Sequence, residues 1–211
     1  MPPLRPTNFN WQQAALQHRD CLPHLREHNA LYYITFRLND SLPKPRLLQL
    51  QKIRAHWLAD NPTPHIPAQD SEFRRLWTLP IERLLDAGYG QCPLHDPACR
   101  QCLEVTLRYD DAHAYHLGDF VIMPNHAHIL VQVLPGSDLS TILQAWKSIS
   151  ARNINRLLSR KGTLWQPEPF DRIVRHDAQW KRIIKYIYKN PAHLSSNTFT
   201  LSKGSLEPPP E

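Results

Sequence analysis

Met123-Pro124-Asn125-His126-Ala127-His128-Ile129-Leu130-Val131-Gln132-Val133-Leu134 is the stretch on which the fold turns. From Ala127 to Leu134 the residues alternate, and Ala127, Ile129, Val131 and Val133 make one wholly apolar face, the period of a half-buried strand. His126 and His128 stand at i and i+2 and project together to the opposite face. If helices cover the apolar side, both imidazoles lie on the open side, ready to share one ion. Such an ion needs a third protein ligand and leaves positions for water or substrate. An isolated H-x-H among 12 histidines is also compatible with ordinary packing.

Outward from this strand the elements follow in turn. Pro135-Gly136 turns the chain, and Ser137 or Asp138 caps a long helix with Leu139, Ile142, Leu143, Trp146 and Ile149 on one stripe. Upstream, Ala114–Met123 reads as a second strand. Leu31–Leu38 reads as a third, with Tyr32, Ile34, Phe36 and Leu38 facing one way and Tyr33, Thr35 and Arg37 the other. Asp171–Arg175 is a short strand. Helices are expected at Pro45–Trp57 and at Ser71–Ala87, the latter kinked or split by Pro80 and stopped by Gly88 and Gly90. Its core candidates are Phe73, Leu76, Trp77, Ile81, Leu84 and Leu85. Asp96 and Pro97, as N-cap and first helical residue, open another helix to about Tyr109. The last helix, about Ala178–Lys189, is ended by Asn190-Pro191.

The flanks read differently. Residues 1–30 form a polar, proline-flanked N-terminal extension with a short helix at Trp11–His18, Asp60–Pro67 is a proline-bearing loop, and 195–211 is a flexible tail. Strands and helices in this order make an α+β fold, one antiparallel sheet with helices on one face.

Composition narrows the function classes. With 211 residues the chain suits one domain, and 41% hydrophobic against 21% charged residues allows a packed core. Twenty prolines against six glycines point to stiff connections. The net charge of +6 and pI near 9.3 favour a polyanionic partner. No apolar run approaches the ~20 residues of a membrane span. Met1-Pro2-Pro3-Leu4-Arg5 carries no secretory signal, and four cysteines are too few for a disulfide scaffold, so the expected compartment is the cytoplasm, with no membrane association.

The last helix holds the second chemical motif. At about 100° per residue, Trp180, Ile183, Ile184 and Ile187 form its buried stripe, with Tyr188 on one flank. Tyr186 lies on the other flank, and Asn190 follows one turn later, so the two emerge side by side. Alone, both tyrosines read as packing residues. A phenol, with its ordinary pKa near 10, becomes a useful nucleophile where a metal polarises the electrophile, as in attack on a phosphodiester.

Val121–Val131 (VIMPNHAHILV), Leu164–Gln166 (LWQ), Phe170–Arg175 (FDRIVR) and Tyr186–Pro191 (YIYKNP) together resemble the HUH single-tyrosine transposases, and among them the REP-associated tyrosine transposases. The resemblance spans about Leu31–Leu194. It implies a ferredoxin-like antiparallel sheet with the tyrosine on a C-terminal helix beside it. It implies cutting of single-stranded DNA next to a palindromic, REP-like hairpin, through a 5′-phosphotyrosine link that leaves a free 3′-hydroxyl to rejoin strands. The implied ion is Mg²⁺ or Mn²⁺, held by His126 and His128, with Asn190 completing the site and Tyr186 as nucleophile. It further favours a monomer over a dimer and a nucleoid-associated place in a bacterial cytoplasm. This sequence departs from the family pattern at Ala127, where relatives often have Val, and after Asn190-Pro191, where Ala192-His193-Leu194-Ser195 follows. The proline-rich stretch near 40–70 is longer than in compact relatives.

Cys92, His95, Cys99 and Cys102 have spacing tight enough for zinc, but a helix starting at Asp96-Pro97 divides the set, which favours ordinary thiols. Arg152, Arg156, Arg160 and Lys161 make a basic stripe for phosphates or a solvated helix face. Trp165, Arg172 and Arg175 are candidates to line a DNA strand, with core packing an equal reading for Trp165. Two further functions compete: a non-catalytic, domesticated hairpin-binding relative, and a two-histidine phosphoesterase. The latter needs paired H-x-T/S motifs, which are missing.

Overall fold

In the computed structural model, residues 15–19, 22–26, 29–62, 67–167 and 170–208 are described, the first two segments by backbone alone. Ala15–Arg19 (β1) and Leu22–Arg26 (β2) pair antiparallel from Ala15↔Arg26 to Arg19↔Leu22. A strand therefore stands where the sequence suggested the end of a short helix; Trp11–Ala14 lie outside the described residues. The neighbouring strand satisfies the backbone that an isolated helix of that length would hold poorly.

Next come Leu31–Arg37 (β3) and a helical layer of Lys44–Asp60 (α1), Pro67–Phe73 (α2) and Leu79–Asp86 (α3). Pro80 does split the expected Ser71–Ala87 helix. A π turn at Arg74–Thr78 precedes α3, so that Pro80 falls at an N-terminal position where its missing N–H costs little. Pro97–Arg108 (α4) starts as read: Asp96 accepts from the Ala98 amide at 2.8 Å. Tyr115–Ile122 (β4) and His126–Val133 (β5) lead to Leu139–Leu157 (α5), capped by Asp138 accepting from the Thr141 amide at 2.8 Å. Phe170–Ile173 (β6), Asp177–Lys189 (α6) and Thr200–Ser202 (β7) complete the fold.

The main sheet has the order β6-β3-β5-β4-β7, all neighbours antiparallel, so the α+β class stands. Its two faces are both used. Tyr32, Ile34, Phe36, Ala127, Ile129, Val131 and Val133 pack with Leu103 and Leu107 of α4 and Leu139, Ile142, Leu143 and Trp146 of α5. Ile149, read onto the same stripe, is instead 41% exposed, and the buried line continues through Ser150 and Ile154. The opposite face carries Leu31, Tyr33, Val121, Met123 and Leu130 against Trp180, Ile183 and Ile187 of α6. Helices are thus not confined to one face. The amphipathic α6 has an apolar stripe that must also leave water, and Leu130 and Val121 supply its seat.

The tail is a correction. Thr200–Ser202 extends the sheet as its edge strand on β4, Leu206 is buried, and its amide donates to the Leu117 carbonyl at 2.9 Å. Arg100 of α4 holds the segment through the Asn197 carbonyl (2.7 Å) and Thr200 Oγ1 (3.0 Å). No helix among the described residues is long and apolar enough to cross a membrane.

Candidate active site

Alternation along β5 sends His126 and His128 to the α6 face of the sheet, while Ala127 and Ile129 enter the α4–α5 core. That face is not open as the sequence suggested: α6 lies across it, and each histidine is 1% exposed. The two rings lie 4.7 Å apart, centroid to centroid. On β3, opposite β5, the polar set of the alternation reappears. Tyr33 Oη and Thr35 Oγ1 meet His128 Nδ1 at 2.8 and 2.9 Å, and the Tyr33 ring stacks on His128 at 5.4 Å. These hydroxyls can accept a proton from Nδ1, which leaves Nε2 facing the tyrosine helix. There the Tyr186 hydroxyl stands 3.5 Å from His128 Nε2, its ring 5.2 Å away.

Asn190 completes the group. It holds helical backbone at the end of α6, and a short 3-10 turn, Asn190–His193, continues past it, so its side chain stays one turn beyond Tyr186. Asn190 Oδ1 and His126 Nε2 are both buried without a hydrogen bond of good geometry. Even so, the Asn190 side chain lies near enough to favour the charged form of His126. Two imidazole rings and an amide therefore form one group of neighbouring side chains. They suit a divalent ion, because each offers a lone pair and two lack a donor. No three His, Cys, Asp or Glu side chains among the described residues gather as a metal site. The Asn190 amide oxygen is the neighbouring group that could serve as a third donor. Of the cysteine set, Cys99 is fully buried, and the Cys92 thiol faces the Gly88 carbonyl at 3.3 Å.

Electrostatics keep the group neutral. Burial, and then the Arg37 guanidinium, push His126 down to about 3. Burial and the neighbouring His126 hold His128 well below its ordinary value. Both rings are free bases at neutral pH, as a metal ligand must be. Tyr186 is pushed up, first by burial and then by the carboxylates of Glu82 and Asp86 on α3. Those carboxyls are themselves raised by burial, with Arg74 and Arg172 acting against this at Glu82 and His193 and Asn190 at Asp86. The phenol is therefore protonated at neutral pH.

The remaining candidates disperse. Arg172 lies at the site, its guanidinium 5.7 Å from the Tyr33 ring centroid. Arg175 is paired with Asp70 of α2 at 3.0 Å. Arg152 and Arg156 are exposed on α5, the layer across the sheet from Tyr186. Arg160 follows that helix and reaches Gln91 Oε1 at 3.5 Å, and Lys161 is exposed beside it. Trp165 is not available to a base: it is 3% exposed in the core, with its indole N–H donating to Ser150 Oγ at 3.0 Å. Tyr33, Thr35, Glu82 and Asp86 were missed. For Tyr33 and Thr35 the polar side of the β3 alternation was the available signal; for the carboxylates there was none, since α3 reaches the site only by tertiary packing. A partly open cleft adjoins His128 between β3 and α3 and is lined by Arg37, Trp77, Glu82 and Phe170.

Residues 93–190, just under half of the chain, match the family described as IS200-like transposases. No curated protein matches the chain significantly. Solved structures with a distant likeness include a REP-associated tyrosine transposase bound to a REP hairpin (13% identity, 85% of this chain and 73% of that one, TM-score 0.38). Another is a protein from Deinococcus radiodurans described as a candidate transposase (14% identity, 78% and 93%, TM-score 0.33). The segment that carries His126, His128, Tyr186 and Asn190 is the one that matches the IS200-like transposase family, in keeping with the resemblance read from those motifs.

Proposed function

We propose that this protein nicks and transfers single-stranded DNA beside a palindromic, REP-like hairpin, using Tyr186 as the nucleophile and a divalent ion, Mg²⁺ or Mn²⁺, held by His126, His128 and Asn190. The observation that carries this reading is the 3.5 Å approach of the Tyr186 hydroxyl to His128 Nε2, across a sequence separation of 58 residues. A bound ion would supply positive charge at the scissile phosphate and favour the phenolate. The Tyr186 oxygen forms a bond to phosphorus, its proton departs, and the bond from phosphorus to the 3′ oxygen breaks. That oxygen leaves as a 3′-hydroxyl after gaining a proton. The hydroxyl can later attack the 5′-phosphotyrosine and restore Tyr186. Tyr33 and Thr35 fix the His128 ring. Arg172 and the cavity beside His128 would guide the strand, while Arg152, Arg156, Arg160 and Lys161 would hold hairpin phosphates and Arg175 would join them if its bond to Asp70 opened. We place the protein in a bacterial cytoplasm, working as a monomer.

A second reading, hairpin binding without cleavage, draws on the burial of both histidines under α6, where each is only 1% exposed. Incubation of the protein and Mn²⁺ with a single-stranded hairpin substrate separates the two. Strand transfer requires a covalent protein–DNA band that Tyr186→Phe abolishes. Tight binding with no band at any Mn²⁺ or Mg²⁺ concentration would select the second reading. A band retained in Tyr186→Phe would move the nucleophile elsewhere, Tyr188 first.

A further inference from the structure

Asn125 precedes the histidine pair and is outside the proposed ligand set, yet its amide is wholly committed. Its Nδ2 donates to the backbone carbonyls of Leu85 (3.0 Å) and Tyr89 (3.3 Å), at and just past the last turn of α3. Carbonyls only accept, so these bonds fix which end of the amide is nitrogen. The remaining Oδ1 can only accept, and it lies 2.7 Å from His126 Nδ1. The ring proton must then sit on Nδ1. A neutral imidazole carries one proton, so His126 Nε2 is a bare lone pair, and it is one of the buried atoms lacking a partner.

We infer that Asn125 is a positioning residue of the metal site: held by the end of α3, it locks His126 in the tautomer with a bare Nε2. Its anchor, the end of α3, precedes the matched segment 93–190. Outer partners of this kind orient metal ligands and raise their basicity. The inference rests on the reading that His126, His128 and Asn190 hold a divalent ion.

Two readouts on the full-length protein test it. Long-range proton–nitrogen NMR of the metal-free, histidine-labelled protein should find His126 protonated at Nδ1 and bare at Nε2. Asn125→Ala should mix the tautomers, and Asn125→Asp, which still accepts from Nδ1, should restore the signature. Titration with Mn²⁺ should find binding about 10–100-fold weaker in Asn125→Ala. If Asn125→Ala fails to fold, the wild-type tautomer and Asn125→Asp decide. A His126 proton on Nε2 in the wild type, or wild-type Mn²⁺ affinity in a folded Asn125→Ala, overturns the inference. Absence of Mn²⁺ binding in the wild type instead overturns the ion reading, and the tautomer of the metal-free protein still judges Asn125.

Discussion

Tyr186 and His126 are each held in the form that metal-assisted attack requires before it begins: a protonated phenol and a neutral imidazole. The imidazole has a measurable cost. An unfolded histidine takes a proton below about pH 6.5, whereas folded His126 resists until about 3. Between these values the unfolded chain binds more protons, so stability is complete above about 6.5 and falls as the pH drops toward 3. For His126 alone the loss at pH 5 is about 2 kcal/mol, and His128, lowered in the same direction, adds to it. Urea denaturation of the metal-free protein at pH 7.5 and pH 5.0 should resolve this drop, and His126→Asn should reduce it. Equal stability at both pH values in the wild type would mean that neither ring is buried neutral.

The elements show where local sequence signals suffice and where they do not. The β5 alternation, the Asp96 and Asp138 caps and the Trp180, Ile183, Ile187 stripe were all legible, because periodicity and capping chemistry act within a few residues. Three features were not. β7 is a three-residue strand whose identity comes from backbone pairing with Val121 and its neighbours. Trp165 looks like a stacking residue in isolation, but Leu38, Phe36 and Ser150 enclose it. The cover over the histidines depends on α6 crossing the sheet, which no spacing reveals. The tail's docking invites a test at Gly204. A Cβ there would collide with the Leu117 carbonyl oxygen, backbone that cannot yield cheaply. Gly204→Ala is expected to cost on the order of 1–3 kcal/mol and lower the thermal midpoint by several degrees. An unchanged midpoint would contradict a firmly seated tail.

At the scale of the whole molecule, chemistry and charge lie on different layers. Tyr186 and the histidines occupy the α6 face, while Arg152 and Arg156 project from α5 beyond the other. With a net charge of +6, the protein should bind hairpin DNA with strong salt dependence. Replacing Arg152 and Arg156 by glutamine should weaken hairpin binding and reduce the slope of log affinity against log salt by roughly 1.4–1.8, if each holds one phosphate. An unchanged slope would return them to the solvated face of α5. The central claim remains the covalent step. Mass spectrometry of the protein after reaction with a single-stranded hairpin substrate and Mn²⁺ reads it directly. Strand transfer by the proposed route places a 5′-linked nucleotide on the peptide containing Tyr186, whereas an unmodified Tyr186 beside cleaved DNA, or a nucleotide on another residue, would contradict it.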